Sequence, residues 1–73
     1  MRKKAITPRR LHISKDLNNS NDWLAYLEHS APLACTSDLE SISKIAINWA
    51  MSNNVDKVIV HHTMSSAEVI YSA

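Results

Sequence analysis

The spacing of apolar positions changes along the chain, and each change marks a different element. Arg10-Leu11-His12-Ile13-Ser14 alternates polar and apolar residues. Leu11 and Ile13 then point the same way, as in a short half-buried strand. The stretch 16–22 is polar and rich in Asn and Asp, which predicts a loop. Further on the spacing lengthens. Leu39, Ile42, Ile45, Ala46, Trp49 and Ala50 recur at helical intervals and form one apolar face, while Ser41, Ser43, Lys44 and Asn48 fall mostly on the other side. Ile47 and Met51 widen this stripe beyond what one contact surface requires.

The limits of that helix, 38–53, are also readable. Ser37-Asp38-Leu39-Glu40 has the form of a capping box, in which Ser37 accepts from the amide of Glu40 and Glu40 reaches back to Ser37. Asp38 and Glu40 sit where the helix dipole favours negative charge. Asn53-Asn54 supplies the stop, because Asn is the usual substitute for glycine at a left-handed helix end. Val58-Ile59-Val60 is β-branched throughout and predicts a largely buried strand. Thr63-Met64-Ser65-Ser66 predicts a turn, and 68–72 a second strand antiparallel to the first.

Residues 22–29 fit two elements. As a helix, Ser20 or Asn21 caps it and Trp23, Leu24 and Leu27 share a face. As a strand, Trp23, Ala25 and Leu27 point inward while Leu24 and Tyr26 point outward. Strand is preferred, because a lone C-terminal strand pair needs further pairing partners. Ala31-Pro32 marks a turn, and 33–36 reads as a short extended passage. The fold expected is α+β: a small antiparallel sheet of three to four strands packed against one main amphipathic helix. The domain is expected over 10–73, preceded by a flexible basic arm over 1–9.

Composition narrows the function classes. At 73 residues there is room for one domain. A deep catalytic cleft is hard to build at this size, and a binding surface is easy. There is no glycine, so positive-φ positions fall to Asn or Asp. Cys35 is the only cysteine, which excludes an intramolecular disulfide. No apolar run follows Met1-Arg-Lys-Lys, so no secretory signal is expected, and no stretch approaches the roughly 20 apolar residues of a membrane span. A reducing cytoplasm is the expected location, and Asn18-Asn19-Ser20 is then an unused glycosylation sequon.

Charge is unevenly spread. Residues 1–10 carry five bases (Arg2, Lys3, Lys4, Arg9, Arg10) and no acid, whereas residues 11–73 carry three bases and seven acids. The arm is able to contact phosphates with salt-dependent affinity. The plainer reading is a solvated terminus, which carries at least equal weight. The acidic body and the lack of an expected aromatic platform on the sheet argue against a nucleic-acid module of the usual type.

No catalytic, metal or cofactor constellation stands out. His61 and His62 are neighbours on a strand and point to opposite faces, so they do not chelate one ion. A metal site would need His12 or His29 to converge with one of them, together with a carboxylate or Cys35. Four scattered histidines and one cysteine match no zinc spacing. One packed and one solvated imidazole is the simpler account of the pair. Cys35 beside a histidine would make a nucleophile–base pair, but a lone Cys is more often a small apolar filler. No cofactor is expected.

The order of extended segments, a capped helix from Ser37-Asp38-Leu39-Glu40 to Asn53, and a closing strand pair (58–60 and 69–71) resembles small phage-encoded inhibitor proteins. Anti-CRISPR proteins are the best-known group of that type. The likeness covers residues 20–73 and lies in size and layout rather than in a motif. It implies a protein that binds a host complex without doing chemistry. The expected function is therefore a non-enzymatic binding protein that inhibits or modulates a protein or protein–nucleic-acid complex. Its expected contacts are Arg2, Lys3, Lys4, Arg9, Arg10, Ile47 and Met51. A homodimer seam along the helix is the alternative use of Ile47 and Met51, and nucleic-acid binding through the arm is the alternative function.

Overall fold

The computed structural model describes residues 9–18, 21–28, 30–63 and 65–73. The element order is β1 (Arg10–Lys15), β2 (Trp23–Leu27), β3 (Pro32–Thr36), α1 (Leu39–Ser52), β4 (Lys57–Thr63) and β5 (Ser66–Ser72). The strands form one sheet in the order β3-β2-β1-β4-β5. β1 and β4 run parallel, and every other neighbouring pair is antiparallel. The α+β class and the single main helix match the expectation. The sheet is larger than expected, with five strands rather than three to four, and it is mixed rather than wholly antiparallel. The reason lies in β1. Leu11 and Ile13 are fully buried, and β1 takes neighbours on both sides. A parallel neighbour requires a crossover connection, and α1 provides it.

α1 lies across one face of the sheet and touches β1, β2, β3 and β4. Beneath it, Leu11, Ile13, Ala25, Val58 and Val60 meet Ile42, Ala46, Ala50 and Val55 in one buried cluster. Ala25 in the sheet, with Ala46 and Ala50 in the helix, keeps the two layers close, since side-chain bulk sets the distance between packed elements. Trp23, Leu27, Leu39, Ile47, Trp49 and Tyr71 close the margins of this core. The ambiguous segment contains a strand, β2 over Trp23–Leu27, with Ala25 inward and Leu24 and Tyr26 on the opposite face.

The helix starts one residue later than its capping box implied. Asp38, not Ser37, is the N-cap, and its Oδ2 accepts from the Ser41 amide at 3.0 Å and from the Ser41 hydroxyl at 2.7 Å. A carboxylate at this position accepts the same amide hydrogen bond as a hydroxyl and also faces the positive end of the helix dipole. Two hydrogen bonds from Ser41 hold the Asp38 carboxyl below its ordinary value. Glu40 instead faces Lys44 one turn on, at 3.6 Å.

The C-terminus follows the sequence expectation. Asn54 has φ 59°, the left-handed conformation that glycine usually takes. The Val55 amide then donates to the Ala50 carbonyl at 3.1 Å, and Val55 is buried against the same turn. This is the Schellman arrangement, with its apolar contact in place. It turns the chain directly into β4.

Two stability measurements check this packing. Ile42→Ala removes a side chain with no solvent exposure and is expected to lower the unfolding free energy by about 2–5 kcal/mol. Met51→Ala removes an exposed side chain and is expected to stay within about 0.5 kcal/mol of the parent, both read from urea denaturation.

Candidate binding face

The helix covers one side of the sheet, and among the described residues no element covers the other, which is called the open side below. Strand alternation puts Arg10, His12 and Ser14 of β1 on the open side, with Leu24, Tyr26 and Glu28 at β2, Ile59 and His61 in β4, and Val69 in β5. The middle of this face is polar and tightly connected. His12 Nδ1 meets His61 Nε2 at 2.9 Å. The ring centres are 5.1 Å apart with the planes inclined by 28°, so the short nitrogen contact joins the rings edge to edge rather than face to face. On the other flank, His12 lies 5.6 Å from the Tyr26 ring, centre to centre. The Tyr26 hydroxyl reaches Ser14 Oγ at 3.2 Å.

Glu28 orders this row. Its Oε2 lies 3.0 Å from Arg10 Nη2 and 3.3 Å from His12 Nε2. His12 Nε2 is shielded from solvent and lacks a well-aligned hydrogen bond among the described residues, so Glu28 acts on it by charge. A carboxylate beside Nε2 favours the tautomer with its proton there. His12 Nδ1 is then the acceptor, and His61 Nε2–H the donor. Desolvation pushes the Glu28 carboxyl up, but the Arg10 guanidinium and the His12 imidazole outweigh it and hold it below its ordinary value. Burial, and then the charge His12 can carry, push the His61 imidazole below its ordinary value. Within the pair, a second proton is disfavoured.

The arrangement suits a proton better than a metal. Two imidazole nitrogens on one tetrahedral zinc ion stand about 3.3 Å apart with both lone pairs converging on the ion, given Zn–N bonds of about 2.0–2.1 Å, whereas these two nitrogens point at each other at 2.9 Å. No group of three or more His, Cys, Asp or Glu residues among the described residues is placed to hold a metal ion. Cys35 is on edge strand β3 and its thiol is pushed up by desolvation and by Asp22 and Asp16, which suppresses the thiolate a nucleophile needs. His61 and His62 do face opposite ways: His61 is half-buried in the row, and exposed His62 pairs with Glu68 at 3.0 Å. His29 lies outside the described residues.

Of the residues expected from sequence to meet a partner, the described ones do not form one patch. Arg2, Lys3 and Lys4 lie outside the described residues. Arg9 is tied to the domain: its Nη1 donates to the Asn53 carbonyl at 2.6 Å, and its backbone amide donates to Asp56 Oδ2 at 2.9 Å. The guanidinium thus caps the negative end of the helix dipole. Arg10 is paired with Glu28. Ile47 packs against the core, which leaves Met51 as a single exposed side chain. Ile45 is also exposed, but it lies about 120° around the helix from Met51, so the two form no common patch. The His12–His61 pairing was not visible in sequence, because the two residues are 49 positions apart and meet only through the parallel register of β1 and β4.

No protein-family model, curated protein or solved structure matches the chain.

Acid titration separates the two ends of the network. The unfolded chain protonates His61 more readily than the folded one, so this residue's contribution to stability is complete above about pH 6.5 and is lost as pH falls below it. The Glu28 contribution is complete above about pH 4.5 and is lost further down. His61→Gln is expected to flatten the upper limb of a stability–pH curve and leave the lower one. Glu28→Gln is expected to flatten the lower limb, with denaturant midpoints across the acid range as the readout.

Proposed function

We propose that the protein is a non-enzymatic binding protein that inhibits or modulates a macromolecular partner by occupying its surface through the open sheet face. The observation that carries this reading is the side of the five-stranded sheet that no element among the described residues covers. Its centre is fixed by the Arg10–Glu28–His12–His61 network, and apolar Leu24, Ile59 and Val69 flank that centre. A rigid polar centre with apolar flanks suits recognition of one surface, since little side-chain freedom is lost on docking. The partner class is a protein or a protein–nucleic-acid complex.

The setting that the layout suggests is phage inhibition of a bacterial defence complex, such as a CRISPR–Cas assembly, in the cytoplasm of the host. No helix among the described residues is long and apolar enough to cross a membrane. The competing reading, nucleic-acid binding through the basic arm, is weakened because Arg9 and Arg10 are already engaged by the domain.

Affinity capture from bacterial lysate with matched surface variants tests the proposal. Val69→Glu, on the open face, is expected to lose at least about tenfold of the captured partner, whereas Met51→Glu, on the helix, is expected to retain it. Equal capture by both variants would overturn the reading. Removal of residues 1–8 is expected to leave capture intact; loss of a salt-sensitive nucleic-acid complex would favour the arm instead.

A further inference from the structure

The two edges of the sheet are built differently. β3 is five residues long, opens on Pro32, which has no amide hydrogen to offer, and packs under α1. β5 is seven residues long and carries neither a proline nor a basic residue. α1 packs chiefly over β1 to β4, so β5 lies at its margin. Among the described residues no strand pairs with the outer side of β5. In an antiparallel pair, alternate residues turn their amide and carbonyl away from the neighbouring strand, and at an edge these groups are free to pair again. The edge is held in place along its length. β5 pairs with β4 from Ser66 to Ser72, and just beyond it the Ala73 amide donates to the Asp56 carbonyl at 2.8 Å.

The side chains of β5 fit a strand with neighbours on both sides. Val69-Ile70-Tyr71 is a run of β-branched and aromatic residues. Val69 lies on the open side opposite Ile59 and is 51% exposed. Ile70 has no opposite residue on β4, because the register shifts there, and it packs with Tyr71 against the core. β5 is therefore apolar on both faces, the pattern of an interior strand rather than of a protected edge. A lysine, a proline or an inward-turned charge commonly keeps edges apart, and β5 has none of them. Its one charged residue, Glu68, is already paired with His62 of β4.

We propose that β5 pairs antiparallel with β5 of a second copy of this chain, joining the two sheets into one of ten strands, five from each copy. The two-fold axis then stands perpendicular to the sheet, with both helices on one side and both open faces on the other. A second copy fits because the strand matches its own reverse. Centred on Val69, Ser66 meets the partner's Ser72, Ala67 the partner's Tyr71, Glu68 the partner's Ile70, and Val69 its own counterpart. No charge faces a like charge in this register. Association stops at two copies, because it consumes both β5 edges and leaves only β3 edges, where Pro32 and the short strand oppose further pairing.

Sedimentation equilibrium of the full chain, without any other protein, tests the proposal from micromolar to millimolar concentration. The expected result is a rise from the 8.2 kDa chain toward twice that mass. Val69→Lys sets two ammonium groups across the axis and is expected to weaken the dimer at least about tenfold. Met51→Lys on the helix, and Leu24→Lys on the open side three strands from the seam, are expected to leave it unchanged. Amide hydrogen exchange gives the readout specific to an edge. The β5 amides that point away from β4 are expected to exchange fast in dilute protein and slowly in the dimer. A chain that stays monomeric at millimolar concentration would overturn the proposal. So would a dimer that Val69→Lys leaves intact, one that Met51→Lys or Leu24→Lys dissociates, or one whose β5 amides exchange as they do in the monomer.

Discussion

The parallel pairing of β1 with β4 is the contact on which the other features depend. It sets Leu11 against Val58 and Ile13 against Val60, and these four side chains form the floor under α1. Without it β1 would have one neighbour, and Leu11 and Ile13 would lose half of their lateral contacts. The same register places Ser14 beside His61 and brings His12 within hydrogen-bond reach of that imidazole. One long-range pairing thus builds the core on one face of the sheet and the polar row on the other.

The helix serves this pairing from both of its ends. Its N-terminus is fixed by Asp38 and Ser41, so the crossover begins at a defined point beyond the β3 edge. Its C-terminus turns sharply through Asn54 into buried Val55, and Arg9 bonds to the carbonyl of Asn53 just before β1 begins. Asp56 strengthens the junction. Its amide donates to the Arg9 carbonyl, its carboxylate accepts from the Arg9 amide, and its own carbonyl accepts from Ala73. The start of β1, the end of α1 and the end of β5 are therefore joined at one corner, which fixes the β1–β4 register from the amino ends of both strands.

The open face shows how a weakly charged surface becomes organised. His12 has a side chain only 13% exposed, so an unordered imidazole there would be costly. Glu28 and His61 on either side settle its tautomer, and Arg10 anchors Glu28 in turn. Each group is ordinary alone, and their order across three strands gives the face a direction, from the guanidinium at one end to the imidazole at the other. His62, one position from His61 but on the other side of the sheet, takes no part and pairs with Glu68 instead.

The sequence by itself determined the local elements. The alternation in 10–14, the helical spacing from Leu39 to Ala50, the Asn stop and the β-branched run at Val58 each depend on near neighbours, and each element formed where its pattern placed it. The N-cap moved by one residue because Asp38 and Ser37 are both competent caps, a choice between local rivals that pattern does not rank. Apart from the antiparallel β4–β5 pair, which the turn at 63–66 implied, tertiary structure decided which strands pair and in which direction. Parallel pairing leaves no turn signature, since its partners are joined through three intervening elements. It also decided the fate of single side chains: Ile47, expected to lie beyond the main apolar face, went to the core, and Ile45, expected within that face, went to solvent. The helix limits were legible because capping is local. The meeting of Glu28, His12 and His61 was not, because it exists only once β2, β1 and β4 lie side by side.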